Sequence, residues 1–216
     1  MTETCTAPDR SDAETKYFLG FKRSLWITKG ARFEANRRLT RKNEISLFTI
    51  SLLSIYVMAA TLVPVLSKDL IPDKFNIIPL ATMVTSIFIL VLSHMEAAKN
   101  YSARAERMLR CAQKIAEIYN EFQFQMKTTI ITTDSFKKLK DDYDKIILDY
   151  SENHANVDYF YFLATHRQDF GLEDWNRVHV VLWYKFQYHL DVYWFYAVML
   201  TLPPTLVWVA FSLQHH

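Results

Sequence analysis

The 216-residue chain is half hydrophobic and 15% aromatic, and its formal net charge is only +2. So small a charge does not hold nucleic acid through bulk electrostatics, and no direct nucleic-acid binding is expected. Three glycines leave little room for tight turns or for a glycine-rich phosphate loop. Long runs of good helix formers favour an all-α protein. Two cysteines, Cys5 and Cys111, are too few for a disulfide framework and fit a reducing cytoplasm.

Residues 1–44 are predicted to form a cytoplasmic, helical region that becomes basic toward its end. Its first 18 residues lack the basic start and apolar run of a cleavable signal peptide. An uncharged segment follows at 45–66, directly after a basic cluster. A helix of this length spans about 33 Å, which matches a hydrocarbon core of about 30 Å. A first transmembrane helix is therefore predicted at 45–66. The juxtamembrane basic residues are Arg37, Arg38, Arg41 and Lys42.

A second uncharged segment lies at 75–95, so residues 45–97 are predicted to form a transmembrane hairpin. Lysine and arginine are retained on the cytoplasmic side of a membrane, and they are concentrated before the first segment and after the second. This pattern places the N-terminus and both ends of the hairpin in the cytoplasm, in a multi-pass protein of the inner membrane. In the soluble alternative, the remainder of the chain would have to bury two helices that are apolar nearly all round.

Polar residues recur at helical spacing in both predicted spans, which gives each span a hydrophilic stripe. One interpretation is that the stripes line a water-filled path between several copies of the chain, with Glu96 at its cytoplasmic mouth. The alternative is that small hydroxyl residues let the helices pack closely and bond to their own backbone. The candidate pore-lining or packing residues are Ser51, Ser54, Thr61, Thr82, Ser86, Ser93 and Glu96.

Residues 98–191 are predicted to form a cytoplasmic helical region, in which the second membrane helix continues as a stalk. Apolar residues recur there at intervals of four and three, the period of a supercoiled seam. The candidate stalk or oligomer seam is Tyr101, Ala105, Met108, Ala112, Ile115, Tyr119, Phe122 and Met126. A second helix is expected to begin near Asp134 as its N-cap, with a similar seam. Either the two helices pack on each other within one chain, or they form a coiled coil between subunits of a homo-oligomer.

A third uncharged segment, 192–213, opens with the aromatic sequence "VYWFY", which suits a headgroup interface. Pro203 and Pro204 lie in its middle, where they remove backbone donors. The segment is either a third membrane span, with residues 214–216 outside, or a re-entrant segment. The predicted fold class is therefore an all-α membrane protein with a transmembrane hairpin, a cytoplasmic helical stalk or hairpin, and a third membrane segment.

Catalytic signatures are sparse. His94 and Glu96 form an H-x-E pair, which leaves a membrane-bound enzyme as a third reading, but no HExxH, paired CxxC or GxSxG motif is present. The other histidines of the middle region are too widely spaced for a local metal site: His154, His166, His179 and His189. We expect no enzyme, no cofactor and no metal.

Two stretches beside the predicted spans, "ARFEANRRLTRKNEIS" at 31–46 and "MEAAKNYSARAERM" at 95–108, resemble the SLATT domain, the SMODS- and SLOG-associating two-transmembrane effector domain. The aromatic C-terminal part is similar to the subfamily found beside reverse transcriptases. The third apolar segment departs from a strict two-span pattern. The matching positions are Arg32, Phe33, Arg38, Leu39, Glu96, Asn100, Tyr101, Arg104 and Glu106.

The resemblance implies an oligomeric inner-membrane effector of a prokaryotic anti-phage system, acting by abortive infection. Such an effector forms a pore or depolarises the membrane when a partner sensor releases it, and a reverse transcriptase is one candidate for that sensor. The alternative is a passive membrane anchor that recruits a partner enzyme.

Overall fold

The computed structural model describes residues 10–66, 77–128, 131–171 and 178–214. Every regular element within these ranges is an α-helix, which confirms the predicted all-α class. The helices are α1 (Arg10–Leu66), α2 (Ile77–Ala98), α3 (Tyr101–Thr128), α4 (Thr133–Asp149), α5 (Asn156–Thr165) and α6 (Val178–Gln214). The turn predicted between the first two spans lies outside the described residues.

The chain divides into two compact units, and each is described by itself below. Unit 1 comprises Met1–Arg37 and Ala105–Tyr184, and unit 2 comprises Arg38–Arg104 and Lys185–His216. Helix α1 is 57 residues long, so the predicted basic N-terminal region and the predicted first span belong to one uninterrupted helix.

The predicted continuation of the second span into the stalk is interrupted between α2 and α3. Asn100 adopts a left-handed backbone conformation with φ of 48°, which asparagine tolerates because its short amide bonds locally. The N–H groups of Lys99 and Asn100 donate to the carbonyls of Glu96 and Ala97, each at 3.1 Å. The Asn100 carbonyl then accepts from the Arg104 N–H at 3.0 Å, in the first turn of α3. Asn100 therefore ends one helix and begins the next.

The core of unit 1 forms where α1, α3 and α4 pack together. Its buried residues are Leu25, Cys111, Ile115, Ile118, Phe122, Phe136 and Leu139. Ile115 and Phe122 of the predicted stalk seam are among them, and Tyr119 and Met126 pack against this core. Ala105, Met108 and Ala112 are also buried. The seam thus faces helices of its own chain, which is the arrangement that the intrachain alternative predicts.

Helix α4 begins slightly earlier than expected. Its N-cap is Thr132, whose hydroxyl accepts the Ser135 N–H at 3.3 Å, and not Asp134 as the sequence predicted. A threonine cap satisfies one of the free N–H groups of the first turn in the same way as an aspartate cap. Asp134 lies inside the first turn instead, where its negative charge complements the helix dipole.

Helix α5 lies against α1 at a point where α1 has no side chain. A Cβ atom at Gly30 would lie 2.2 Å from Cε2 of Phe162. The Phe162 ring is only 3% exposed and packs edge-on against Trp26, with ring centroids 5.0 Å apart. Trp26 also stacks on Phe170 at 5.4 Å. The docking of α5 therefore depends on the missing side chain of residue 30.

We expect Gly30→Ala to destabilise unit 1 by about 1–3 kcal/mol, because the new methyl group overpacks the Phe162 contact. Gly20→Ala is the matched control, since it lies in the same helix and a Cβ there meets nothing within 4 Å. The control should gain about 0.5–1 kcal/mol from better helix propensity. Thermal unfolding of the detergent-solubilised protein measures both. Equal stability changes in the two variants would contradict the packing argument.

Unit 2 has a small core and a largely apolar exterior. Leu53, Ile89 and Leu92 form the core, and Phe195 and Met199 of α6 pack against it. Many large apolar side chains of this unit are about half exposed or more, among them Phe48, Ile55, Met58, Met83, Phe88 and Trp194. A soluble domain does not leave so many large apolar side chains open to water.

Among the residues that the structure describes, two stretches, Glu14–Leu62 and Ala81–Thr128, each contain an 18-residue segment that is apolar enough to cross a membrane. Only 17% of each segment is buried within the chain. The core helix of a soluble protein would be mostly buried, so this low burial favours the two predicted transmembrane helices over the soluble alternative.

Candidate functional site

A buried carboxylate connects three helices of unit 2. Glu96 lies near the end of α2 and is 6% exposed. Its Oε2 accepts a hydrogen bond from the Tyr196 hydroxyl of α6 at 2.8 Å, and its Oε1 accepts one from the Lys99 ammonium. The hydroxyl of Ser46, on α1, donates to the same carboxylate. These four residues, Ser46, Glu96, Lys99 and Tyr196, are called the Glu96 network below.

The Glu96 network supplies the hydrogen-bond donors and the cation that the buried carboxylate of Glu96 requires. An ionised carboxylate taken out of water must be paired with a cation and hydrogen-bonded, and here it is both. The Lys99 side chain is 41% exposed while that of Glu96 is 4% exposed, so the cation still reaches solvent. The Lys99 ammonium also lies 5.4 Å from the centre of the Phe195 ring. Removing the carboxylate would leave three donors of unit 2 without their common acceptor.

A second polar contact joins α6 to α1. Asp191 Oδ2 lies 2.9 Å from Nη1 of Arg38 and 2.8 Å from the ammonium of Lys42. The two cations are 10% and 13% exposed, and the Asp191 side chain is 39% exposed. Burial raises the pKa of Asp191, but the two adjacent cations outweigh burial and hold the pKa below its ordinary value.

The Asp191 contact gives a prediction about pH. Because the pKa of the folded state is depressed, the stabilisation is complete above the unfolded pKa of about 4 and is lost as the pH falls through the folded pKa. From pH 6 to pH 3 we expect the free energy of unfolding to fall by about 1 kcal/mol more in the wild type than in Asp191→Asn, since solvent screens this partly exposed group. Chemical unfolding in detergent at several pH values measures the difference. Parallel pH profiles for the two proteins would contradict the prediction.

Three of the predicted stripe residues satisfy their hydroxyls within their own helix. The hydroxyl of Ser54 donates to the Ile50 carbonyl at 2.9 Å, and that of Thr61 to the Met58 carbonyl at 2.7 Å. In α2, Ser86 donates to the Thr82 carbonyl at 2.8 Å. Ser51 and Ser86 are exposed, while Thr82 and Ser93 are half-buried. Glu96, in contrast, bonds to residues of other helices.

The juxtamembrane basic residues have different surroundings. Arg38 and Lys42 bind Asp191, as described above. Arg37 donates to Glu34 within unit 1 at 2.7 Å, and its side chain is 71% exposed. Arg41 is exposed. The predicted basic cluster is therefore partly a structural element and partly a charged surface.

Several positions that carry the family resemblance are buried. Leu39 is 2% exposed, and Arg32 is 3% exposed with its Nη1 donating to the Glu152 carbonyl at 3.1 Å. Beside it in unit 1, the Asn36 amide donates to the Ala105 carbonyl at 2.9 Å. The Arg32 and Asn36 side chains connect α1 to other segments of unit 1, so they support the fold of that unit.

The H-x-E pair does not form a common site. Glu96 is buried in the Glu96 network, whereas His94 is exposed. Residues two apart on a helix point in nearly opposite directions, which explains the separation. Among residues 10–66, 77–128, 131–171 and 178–214, no group of three or more His, Cys, Asp and Glu side chains is placed to hold a metal ion.

Sequence reasoning missed Ser46, Asp191 and Tyr196. Asp191 is the last charged residue before the third apolar segment, and Tyr196 belongs to the aromatic cluster that opens it. Their positions marked a membrane boundary, but nothing in the sequence identified Glu96 or Lys42 as their partners. Pairs that lie about 100 and 150 residues apart along the chain leave no periodic signal.

The comparison with family models completes the assignment. The model of SMODS and SLOG-associating 2TM effector domain family 5 matches residues 16–210, which is almost the entire chain. Comparison with curated proteins and with solved structures gives no match. The family match and the two apolar helices together indicate a membrane protein with the general role of an effector in defence systems. The chain therefore belongs to SMODS and SLOG-associating 2TM effector domain family 5.

Proposed function

We propose that this chain is an oligomeric effector of the inner membrane that depolarises the cell during phage infection by opening a pore. The observation that carries the proposal is the Glu96 network, in which a buried carboxylate fastens three helices within an otherwise apolar unit. Ionisable residues at such positions are costly to keep and usually serve an ion path or a conformational change. The described arrangement is the closed state in this proposal.

Opening requires a second packing of the helices of unit 2. Movement of α6 would break the bond between Tyr196 and Glu96 and expose the carboxylate to water. A carboxylate at the cytoplasmic mouth of a pore attracts cations, and the hydroxyls of the two stripes provide polar groups along its length. A signal opens the pore only if it stabilises the open packing more than the closed one.

Unit 1 is the proposed receiver of the signal. Helix α1 supplies residues 10–37 to unit 1 and continues without a break to Leu66, so it is a continuous element along which a change in unit 1 can reach the first span. The partner is proposed to be a sensor protein, with a reverse transcriptase as the candidate that the sequence resemblance implies. Co-purification of the tagged chain with that partner tests the pairing.

Membrane potential tests the function directly. The chain is expressed at a controlled level with its partner sensor, and the potential is followed with a voltage-sensitive dye after phage infection. We expect rapid depolarisation by the wild type and a clearly smaller response by the triple variant of Thr82, Ser86 and Ser93 to leucine, because an apolar stripe conducts ions poorly.

The control for this experiment is Ser102→Leu with Ser151→Leu, which changes exposed hydroxyls outside the predicted spans. It should depolarise the membrane as the wild type does. An unchanged potential after infection of cells that carry the wild-type chain would contradict the proposal. Full protection by a chain whose hairpin is replaced with an unrelated two-span hairpin would instead support a passive anchor.

A further inference from the structure

We infer that α6 is a third transmembrane helix, that it crosses the bilayer in the same direction as α1, and that its outward face contacts lipid acyl chains. The family description names two transmembrane helices, so this assignment adds one. It concerns the resting protein and does not depend on whether a pore opens.

The contacts of α6 with α1 and α2 show the direction in which it runs. At Asp191, α6 meets Arg38 and Lys42 of α1. Five residues later, Tyr196 meets Glu96, which also binds Ser46 of α1. Met199 then packs against the core around Leu53. Rising residue numbers on α6 thus pair with rising numbers on α1, so the two helices are parallel.

The length of α6 is sufficient for a complete crossing. From residue 192 to its end at Gln214, the helix measures about 34 Å at the standard rise, and the predicted first span at 45–66 measures about 33 Å. Both lengths match a hydrocarbon core of about 30 Å. Because Pro203 and Pro204 lie in its middle, the sequence did not decide between a complete span and a re-entrant segment. In the structure the helix continues through both prolines. Two parallel helices of equal length that start at the same level also end at the same level.

The two faces of α6 differ in what they contact. Val192 and Tyr196 are buried within unit 2. On the other side, exposed apolar residues recur at intervals of four, namely Leu190, Trp194, Val198 and Leu202, and Tyr193 is exposed beside them. The ion pairs of Asp191 with α1 lie just before the segment 192–213, and that segment carries no formal charge. Lipid fits such a face because it is apolar over its length, bears aromatic rings at the charged end and offers no charged group to a protein partner.

Cysteine labelling tests the topology. The base protein is Cys5→Ser with Cys111→Ala, to which His216→Cys or Ser67→Cys is added, and a third protein keeps Cys5 alone. A membrane-impermeant maleimide is applied to spheroplasts, to inverted vesicles and to detergent-solubilised protein. We expect His216→Cys to react in spheroplasts, as Ser67→Cys does, while Cys5 reacts only in inverted vesicles. Labelling of His216→Cys in inverted vesicles would overturn the third crossing. Labelling that occurs only in the detergent-solubilised protein, and in neither membrane preparation, would overturn it as well.

A charge on the outward face tests the lipid contact. In the His216→Cys protein we add Leu202→Arg, and we expect the fraction labelled in spheroplasts to fall about tenfold or more, because arginine inserts poorly at the centre of a membrane helix. Leu148→Arg is the matched control, since Leu148 is 79% exposed on α4 in unit 1 and its replacement should leave labelling unchanged. Unchanged labelling of Leu202→Arg would overturn lipid contact and indicate a protein partner or water at this face.

Discussion

Glu96→Ala is expected to loosen α6 from the rest of unit 2 and to make the membrane leak before any infection. The substitution removes the acceptor that Ser46, Lys99 and Tyr196 share. Breaking a buried ion pair costs about 3–5 kcal/mol, and the solvent contact of Lys99 lowers the expected loss here to about 2–3 kcal/mol. The free energy of unfolding in detergent and the resting potential of uninfected cells measure the two consequences.

His94→Ala is the matched control for Glu96→Ala. It lies two residues away on the same helix, with an exposed side chain. We expect it to leave both stability and resting potential unchanged. Equal effects of the two substitutions would refute the role of the Glu96 network. Loss of function in both variants with folding intact would support the alternative of an enzyme that uses the H-x-E pair. Tyr196→Phe separates the contacts further, because it removes the hydroxyl bond between α6 and Glu96 but keeps the carboxylate and its contact with Lys99.

Phe122→Ala is expected to cost unit 1 about 3–5 kcal/mol, the range for a fully buried aromatic side chain. Phe122 has no exposed surface, and its ring centroid lies 5.5 Å from that of Phe21 and 5.9 Å from that of Phe136. Its loss would leave a cavity where α1, α3 and α4 meet. Thermal unfolding of the detergent-solubilised protein, followed by circular dichroism, measures the change.

Phe124→Ala provides the comparison for this substitution. Phe124 lies on the same helix two residues further on, and its side chain is 62% exposed. We expect a change of about 0.5 kcal/mol or less, as for other surface substitutions. If Phe124→Ala proved as costly as Phe122→Ala, then a second copy of the chain or another partner would cover that face of α3. The comparison therefore also tests whether a partner covers the exposed face of α3.

The Glu96 network and the Asp191 contact both fasten α6, but they differ in how much energy they contribute. Asp191 is more than one-third exposed, so water and salt screen its ion pairs. Glu96 is almost completely buried, so its hydrogen bonds operate in a low-dielectric environment and its isolation would be costly. We therefore expect the gating behaviour of the protein to be more sensitive to Glu96 than to Asp191.

The sequence by itself determined the helical class, the two apolar helices and the family. These properties follow from local quantities, namely residue propensity, the length of uncharged segments and the residues beside them, which can be read along the chain. The seam from Tyr101 to Met126 was also visible as a periodic pattern. Its period did not reveal which helix would cover it, because a helix of the same chain and a helix of another subunit satisfy the same spacing.

Only the tertiary structure decided which polar residues meet. Glu96 was one member of a stripe in the sequence, yet in the folded chain it binds Tyr196, while Ser54, Thr61 and Ser86 bond to their own helices. Likewise, Asn100 interrupts the helix that the sequence predicted to continue from the second span into the stalk, because a left-handed residue is a backbone property that side-chain periodicity does not record. Contacts between residues far apart in the chain depend on how whole helices pack, and the energy of that packing is shared among many side chains rather than encoded at any one position.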